Sequence, residues 1–464
     1  MELIIQQIAQ VFIKTITEKA FSEKIHDIDS LAGELEDECK AAAVQILEAA
    51  VARLNRQIRD DKTMRKEQGL LLKEKERPRE IYTKVGTIDV SRDYYFDKNR
   101  QRYVSVIDHM IGVRAYERIG DTVSAEMVNS AADVSYAKSA QQVTHGRISR
   151  QSVRNHILKV SLPQEEIPEE KKVVKELHIH ADEDHVHMQK PNKERGKKSQ
   201  IVPLITVTEG TRKINERRNE TLEAKRFADI HIKADTLWKT VEGYIESNYD
   251  TEKLEKIYVH GDGGPWIKNG LDSYRQTVRV MDGYHFGKRL KAFSRAFPAR
   301  NISVVLRNAI RENDKRKADM FLRSLMVEAS EKERNKVSEF GTYLMGNWTE
   351  IYNLETLDIP GSCTEGQVSH VLSERFSRNP LGWSKEGLGK LSCIRVSNIN
   401  GRKIEAEDFK TTGEEDRYAT YIENMFKGAF DWSIFDGEPL VFDRTSGTQI
   451  LIDAFGKDHG VILS

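Results

Sequence analysis

The sequence is poor in cysteine: only Cys39, Cys363 and Cys393 occur in 464 residues. These three lie far apart and form no Cys-x-x-Cys pair, so neither a disulfide framework nor a structural zinc site of the usual spacing is indicated. This cysteine usage fits a reducing compartment, and we expect a cytoplasmic protein.

Long apolar runs and an excess of one charge are also missing. No apolar run reaches the ~20 residues that a membrane span needs. Residues 1–14 lack the basic segment and apolar stretch of a signal peptide, so we expect no membrane partner. The 73 basic residues equal the 73 acidic residues, so net charge suggests no class of partner. Local basic stretches matter more for nucleic-acid binding.

The pattern of apolar residues changes several times along the chain, which predicts an α/β protein of several domains. The predicted regions, in chain order, are an N-terminal helical region at 1–75, a β-hairpin with helix-turn-helix at 76–160, a linker at 161–175, the first part of an α/β core at 176–285, an all-α insertion at 286–357, the second part of the core at 358–395, and a C-terminal region at 396–464. Within the hairpin region, strands are predicted at 81–84, 87–96 and 103–107. A weak strand pattern also occurs at 449–452.

Three short helical patterns in residues 117–160 indicate a helix-turn-helix. Helices are predicted at 123–134 and 136–143, and a third follows the tight turn at His145-Gly146, with Ser149 as its N-cap. The third helix is expected to expose Arg150, Gln151, Arg154 and Asn155. Because arginine reads guanine and glutamine or asparagine reads adenine, double-stranded DNA is the predicted partner. A generic three-helix packing unit is the alternative.

Two stretches place aspartates at the ends of predicted strands. Residues 177–182 alternate apolar and polar, and Asp182 ends this alternation; Asp262 follows a second strand in a Gly-Asp-Gly-Gly turn. Carboxylates at neighbouring strand ends meet at one rim of a sheet, where oxygen ligands can hold a divalent cation. Together with a third acid, Glu365, at the start of a late helix, they could bind two Mg²⁺ (or Mn²⁺) ions for phosphoryl transfer. Spacing alone does not select these acids in a chain that is 31% charged.

Four sequence motifs select these acids more specifically. They are His-Ala-Asp-Glu-Asp-His-Val at 180–186, Val-His-Gly-Asp-Gly-Gly-Pro-Trp-Ile at 259–267, Asp-Gly-Tyr-His-Phe at 282–286, and Glu-Gly-Gln-Val-Ser-His-Val-Leu-Ser-Glu-Arg at 365–375. With Gly-Trp-Ser at 382–384, the chain resembles ISLre-type bacterial insertion-sequence transposases, formerly an uncharacterised protein family, over roughly residues 75–395. The resemblance implies an RNase H-like mixed sheet with a DDE triad, interrupted by an all-α insertion. It also implies metal-dependent DNA strand cleavage and transfer at terminal inverted repeats by a homo-oligomer.

The resemblance assigns the acids residue by residue. Asp182 is preferred as the first acid, with Asp184 on the same strand face as the competitor. Asp262 is the second acid, and Glu365 is preferred to Glu374 as the third because Glu365 begins its helix. Asp282 and His285 resemble an auxiliary Asp-x-x-His signature, whose role is left open between positioning the insertion and positioning the cleaved strand.

Other features leave alternatives open. The histidines at 178, 180, 185 and 187 could ligate zinc in a hydrolase, although polar lining or phosphate contact is favoured. The basic loop 190–198, with Lys197 and Lys198, and the segment with Lys288 and Arg289 are expected along DNA, or else are solvated surface. Trp266 could stack on a flipped base or cap the core. The glycine turn lacks the Lys-Ser/Thr of a P-loop, which argues against an ATPase.

The alternative functions are a helix-turn-helix binding protein with an inactive core and a metal-dependent nuclease without strand transfer.

Overall fold

The computed structural model describes residues 2–20, 27–162, 167–190, 198–215, 218–379 and 382–409. These residues form two compact units, one up to Ser124 and the other from Ala125 to Phe409. The predicted linker at 161–175 therefore does not separate the units. The amide of Lys172 donates to the carbonyl of Asn248, and the carbonyl of Lys172 accepts from Asp250, so this stretch is hydrogen-bonded to the second unit.

The first unit packs long helices against an antiparallel sheet. Its elements are α1 (Glu2–Ala20), α2 (Ile28–Asp60), α3 (Lys62–Glu67), β1 (Leu70–Thr83), β2 (Gly86–Asp97), β3 (Arg102–Val104) and α4 (Val106–Met110). The helical region predicted at 1–75 ends at Glu67, because the apolar residues from Leu70 onward pair with β2. The strand predicted at 103–107 is also wrong beyond Val104, where the chain turns into α4.

The three predicted helices are α5 (Asp121–Asp133), whose first turn belongs to the first unit, α6 (Tyr136–Thr144) and α7 (Arg150–Lys159). Local capping fixes their ends. The hydroxyl of Ser149 accepts from the amide of Ser152 at 3.2 Å, which starts α7. His145 ends α6 in the left-handed region, at φ 50°. A tight turn therefore joins α6 and α7, as the sequence predicts.

A mixed five-stranded sheet forms the centre of the second unit. Its strands are β4 (Glu176–His187), β5 (Ser199–Thr208), β8 (Lys225–Phe227), β9 (Lys256–Gly261) and β10 (Thr277–Met281), in the order β10-β9-β4-β5-β8. β4 is parallel to β9 and antiparallel to β5, β5 is antiparallel to β8, and β9 is parallel to β10. The mixed α/β sheet is thus confirmed. A separate hairpin of β6 (Thr211–Asn215) and β7 (Arg218–Thr221) was not predicted.

The alternation along β4 determines which of its side chains point into the apolar core and which point away from it. Leu177, Ile179 and Ala181 are fully buried in a core that also contains Val241 of helix α8 (Ala234–Asn248). Because successive side chains of a strand point to opposite faces, Asp182 and Asp184 lie on the face away from α8. The apolar core on one face thereby positions the acids on the other.

The segment after β10 is helical, as predicted for 286–357. Short helix α9 (Pro265–Lys268) precedes β10, and α10 (Gly283–Ser294), α11 (Ile302–Arg311), α12 (Lys315–Glu328), α13 (Glu331–Gly346) and α14 (Trp348–Thr356) follow it. These helices enclose their own core, in which Leu306, Ile310, Leu344 and Ile351 are fully buried.

The chain then returns to β4 through α15 (Thr364–Val368), a π-helical turn at Ser369–Ser373, α16 (Glu374–Phe376) and α17 (Lys385–Ile399). The weak strand predicted at 449–452 lies outside the described residues. No helix in the described ranges is long and apolar enough to cross a membrane.

Candidate metal centre

Three side chains from separate parts of the chain meet beside the middle of the central strand, and not at its end as the sequence pattern predicts. Ligand atoms of Asp182 on β4, His285 on α10 and Glu365 on α15 all lie within 4.8 Å of one another. Pairing of β4 with β9 ends at His180–His260, so Asp182 lies just past the point where these strands separate. Asp182 is buried and Glu365 is exposed, which makes the cluster accessible from one side. The structure therefore brings together the preferred first and third acids.

Asp282 positions His285 in the cluster. As the N-cap of α10, Asp282 accepts hydrogen bonds at Oδ1 from the backbone amide of His285 at 2.9 Å and pairs with its Nδ1 at 3.1 Å. When His285 is neutral and donates from Nδ1, its Nε2 lone pair is left for a cation. A carboxylate that orients a metal-binding imidazole in this way is common in metal sites. The Asp-x-x-His spacing is thus an N-cap and a residue one turn into the helix.

His285 is the candidate ligand that sequence reasoning missed. The motif itself was recognised, but its role depends on where α10 lies relative to β4. That placement follows from packing of the helical insertion and is not encoded locally. The observable signal was a histidine three residues after an aspartate at a strand end.

Asp262 lies beside the cluster without joining it. Its Oδ1 accepts from the amide of Gly264 at 2.8 Å, which closes the turn after β9. Gly263 in this turn has φ +87°, and a Cβ there would lie 2.3 Å from Oδ1 of Asn347, so glycine is required. The negative charge of Asp262 nevertheless acts on Asp182, because it contributes to raising the pKa of the Asp182 carboxyl.

The electrostatics of the cluster favour a cation. Burial, reinforced by the charges of Asp262 and Asp282, raises the pKa of Asp182 to about 6. Burial alone would also raise the pKa of Asp282, but hydrogen bonds from His285 and Ser362 outweigh it and hold that pKa well below its usual range. The hydrogen bond to Asp282 and the nearby carboxylates raise the pKa of His285. A divalent cation would relieve the repulsion among the carboxylates, and it would displace the proton that His285 otherwise holds.

The donor set also fits the predicted metals. Two carboxylates are oxygen ligands of the kind that Mg²⁺ and Mn²⁺ take, and the imidazole favours Mn²⁺ over Mg²⁺. Asp182, Glu365 and His285 would hold the ion, leaving its other positions for water or substrate.

The competing acids lie elsewhere. Oδ1 of Asp184 accepts from the hydroxyl of Ser377 at 3.1 Å, so this side chain is directed to the segment after α16. Glu374 is exposed and forms ion pairs with His370 at 3.7 Å and Arg378 at 3.4 Å. Neither acid belongs to the metal-compatible group found among the described residues.

A family model described as an uncharacterised protein family, UPF0236, matches residues 22–412 of this chain. The chain belongs to the UPF0236 family. Two UPF0236 proteins of Caldanaerobacter subterraneus subsp. tengcongensis are similar to it. One is 37% identical over 363 residues, covering 77% of this chain and 74% of the relative. The other is 36% identical over 361 residues, covering 76% and 74%.

The histidines of this UPF0236 chain do not form the zinc site that the sequence left open as an alternative. His178, His180 and His260 stack in the interior, with ring centroids 4.8 Å apart for His180 and His260 and 5.6 Å apart for His178 and His260. Burial lowers the pKa of all three, that of His260 to about 3, so they are neutral at pH 7. His185 and His187 are exposed. Within the described ranges, no three of these histidines share a ligand sphere.

Trp266, for which base stacking was the alternative, packs against the core beneath α8. Its carbonyl accepts from Nε1 of Trp238 at 2.8 Å.

The predicted DNA-facing residues of the UPF0236 chain are mostly exposed. On α7, Arg150, Gln151 and Asn155 are exposed and Arg154 is half-buried. Lys288 and Arg289 are exposed on α10, three and four positions beyond His285, so they lie within about one helical turn of it. Lys198 is exposed, and Lys197 lies outside the described residues.

Proposed function

We propose that this UPF0236 protein is the DNA transposase of an insertion sequence and carries out metal-dependent strand cleavage and transfer. The observation that carries the proposal is the meeting of Asp182, His285 and Glu365 within 4.8 Å. These side chains come from a strand and two helices that are distant in sequence, and a helical insertion lies between the second and the third. A strand aspartate, a late-helix glutamate and a helical insertion before it are what the resemblance to ISLre-type transposases implies, whereas its second acid, Asp262, lies beside the cluster and His285 takes part instead.

The sheet order also supports an RNase H-like core. Counted along the chain, the five strands of the main sheet stand in the order 3-2-1-4-5, with the second antiparallel to the first. This is the order expected of an RNase H-like sheet, and Asp182 lies on its central strand. The coincidence of this order with two of the three implied acids and a histidine favours a metal centre over a chance cluster of carboxylates.

Each residue has a distinct part in the proposed reaction. A bound Mg²⁺ or Mn²⁺ supplies charge stabilisation and lowers the pKa of an attacking water or 3′-hydroxyl. Asp182 and Glu365 would hold the ion, and Asp282 would keep the imidazole of His285 oriented toward it. Asp262, one strand away, offers a carboxylate oxygen for a second ion.

Two helices of the second unit would contact DNA. Helix α7 presents Arg150, Gln151 and Asn155 for base edges, and Lys288 and Arg289 on α10 supply phosphate contacts near the centre. Because both element ends must be processed together, we propose that a homo-oligomer acts. The names of the two relatives combine eleven and four locus designations, a multiplicity typical of mobile elements.

The experiment uses purified full-length protein, Mn²⁺ and labelled DNA carrying the sequences that flank its own gene. Nicking at the element end followed by joining to a second DNA supports the proposal. Nicking without joining would identify a nuclease instead. Sequence-specific binding without nicking would identify a binding protein with an inactive core.

Metal binding should strengthen as the pH rises through about 6. The pKa of Asp182 is raised to about 6, so below that pH a proton competes with the cation for its carboxylate. We expect Mn²⁺ affinity, measured by isothermal titration calorimetry, to increase roughly tenfold from pH 5 to pH 7. An Asp182→Asn protein should bind weakly at both pH values. Equal affinity of the wild-type protein at pH 5 and pH 7 would contradict the assignment.

Sequence recognition should depend on the exposed face of α7. The double substitution Arg150→Ala/Gln151→Ala is expected to weaken binding to element-end DNA by roughly tenfold or more, since each base contact contributes ~1–3 kcal/mol of discrimination. Binding to unrelated duplex should change little, as measured by fluorescence anisotropy. The control is Lys138→Ala on α6, an exposed residue outside the recognition helix. An equal loss on both DNAs would argue for phosphate contact alone.

A further inference from the structure

The segment that carries His285 is basic throughout, although the whole chain is neutral. Residues 283–311 contain seven lysines and arginines and no aspartate or glutamate. The three arginines that follow α10 are paired with glutamates of later helices. The other four basic residues are exposed on α10 or at its C-cap, and they are Lys288, Arg289, Lys291 and Arg295. This local excess of positive charge suits a polyanion.

Three of these cations and a tyrosine lie along one side of α10. They are spaced four, three and four residues apart, which places them on one face of a helix. The opposite face carries two phenylalanines and a leucine that are buried in the core of the helical insertion. That apolar contact fixes the orientation of α10 and leaves the other face to solvent. We call the exposed face the α10 stripe, and it consists of Tyr284, Lys288, Lys291 and Arg295.

The α10 stripe is not engaged by the part of the chain that the structure describes. Its three cations form no ion pair with any described residue. Tyr284 is 53% exposed, and its hydroxyl has no hydrogen-bond partner among the described residues. Nζ of Lys288 lies 5.4 Å from the centroid of the Tyr284 ring, so ring and cation are presented side by side. The stripe is therefore accessible to a ligand along its length.

The stripe begins at the metal centre. Tyr284 directly precedes His285, and their rings meet nearly at right angles with centroids 5.5 Å apart. From Tyr284 to Arg295 the helix extends about 16 Å, at ~1.5 Å per residue. One strand of nucleic acid advances ~3.4 Å per nucleotide in a duplex, so the stripe spans up to roughly five nucleotides. A strand bound along it would have one end at the centre.

We propose that the α10 stripe binds one strand of DNA that is unpaired where it enters the metal centre. The base of the nucleotide nearest the centre stacks on Tyr284, and the phosphates beyond it lie on Lys288, Lys291 and Arg295. A cationic track with an aromatic ring is how proteins hold single strands without regard to sequence. All the groups that contact the strand belong to exposed side chains.

This inference rests on the proposed strand-cleavage function and names the form of its substrate. The substrate is DNA whose base pairs are open beside the scissile phosphate, and not an intact duplex. Helix α7 and the α10 stripe then have different tasks. The first selects the element end by its duplex sequence, and the second holds the strand that is cut.

Photocrosslinking gives the first test, because it locates the bound strand. A short oligo-dT in which one thymine is replaced by 5-iodouracil is irradiated with the full-length protein in EDTA, so no metal-dependent step contributes. Trypsin cleavage after Arg279 and Lys288 releases residues 280–288, in which Tyr284 is the one tyrosine. We expect a crosslink on Tyr284, and its loss in Tyr284→Leu. Crosslinks only in other peptides, or no crosslink, would overturn the proposal.

Affinity measurements test the stacking separately from the charge. Tyr284→Ala should lower the affinity for labelled oligo-dT, measured by fluorescence anisotropy in EDTA, by roughly fivefold or more, because one base loses its stacking partner. Tyr284→Phe keeps the ring and should bind as the wild-type protein does. Neither variant should alter binding to a blunt duplex of unrelated sequence, in which all bases are paired. An equal loss on both DNAs, or no loss on oligo-dT, would contradict the stacking role.

The cations of the stripe give the third test. Lys291→Glu/Arg295→Glu should weaken oligo-dT binding roughly tenfold and reduce its salt dependence, since two phosphate contacts are lost. The matched control is Lys332→Glu/Lys336→Glu, the same charge change at the same four-residue spacing on exposed positions of α13. Both variants should show the wild-type circular dichroism spectrum, since all four positions are exposed. A loss as large in the control would show a general effect of net charge and overturn the assignment.

Failure of this proposal can be told apart from failure of the metal centre. Asp182→Asn protein should bind oligo-dT at least as tightly as the wild-type protein, because the measurement is made without metal. If Tyr284 is crosslinked but the protein neither binds Mn²⁺ nor cuts DNA, the strand site stands and the proposed function fails. If Mn²⁺ binds and DNA is cut while Tyr284 acquires no crosslink, the centre stands and the strand site fails.

Discussion

Replacing Asp182 with asparagine is expected to weaken Mn²⁺ binding at the centre strongly and to reduce DNA cleavage roughly a thousandfold, since a catalytic metal contributes several kcal/mol. The fold should survive. The raised pKa of Asp182 means that its charged form destabilises the metal-free protein, a penalty that is absent at low pH and appears as the pH rises through about 6. Asparagine lacks this charge, so the melting temperature of the metal-free variant at pH 7.5 should equal or exceed that of the wild-type protein.

The matched control is Asp184→Asn. An asparagine carbonyl can still accept the hydrogen bond that Ser377 donates to Asp184, so local structure is kept. We expect near wild-type cleavage from this variant, and likewise from Glu374→Gln, whereas Glu365→Gln should be inactive. Loss of cleavage in Asp184→Asn with activity retained in Asp182→Asn would reverse the assignment of the first acid.

Replacing Arg395 with methionine should strongly destabilise the second unit. The buried guanidinium of Arg395 donates to the carbonyls of Val371 at 2.5 Å, His370 at 2.7 Å and Ala132 at 3.0 Å, and to Asp133. It thereby joins the end of α5 and the π-helical turn to α17. Methionine keeps much of the volume but leaves these carbonyls unpaired, which costs about 3–4 kcal/mol. The melting temperature should fall by roughly 10 °C.

The control for this change is Lys385→Met, an exposed residue in the first turn of the same helix. Its melting temperature should remain within about 1 °C of the wild-type value. Because His370 and Val371 follow Glu365 by less than two turns, Arg395→Met should also weaken Mn²⁺ binding. A variant as stable as the control would show that the guanidinium contacts contribute little.

The elements that could be predicted from the sequence are those with a local physical cause. The strand predicted at 87–96 is rich in β-branched and aromatic residues, the helix opened by Ser149 has an N-cap, and the structure has both elements. The alternation at 177–182 likewise placed Asp182 on the face away from the apolar core. The resemblance supplied the acids, and the structure brings Asp182 and Glu365 together.

What could not be predicted depends on tertiary contacts. Residues 70–75 fall in the region predicted to be helical, and their pairing with β2 makes them part of a strand. The role of His285 depends on how α10 approaches β4. The exposed stripe of α10 likewise depends on which face of that helix packs against the insertion.

The most direct test of the central claim is the location of bound Mn²⁺ in crystals of the protein, determined from anomalous diffraction. We predict a peak within ligand distance of Asp182, His285 and Glu365, which disappears in crystals of Glu365→Gln. A Mn²⁺ ion bound at other side chains, with these three left without metal at saturating concentration, would contradict the proposed centre and the strand-cleavage chemistry that depends on it.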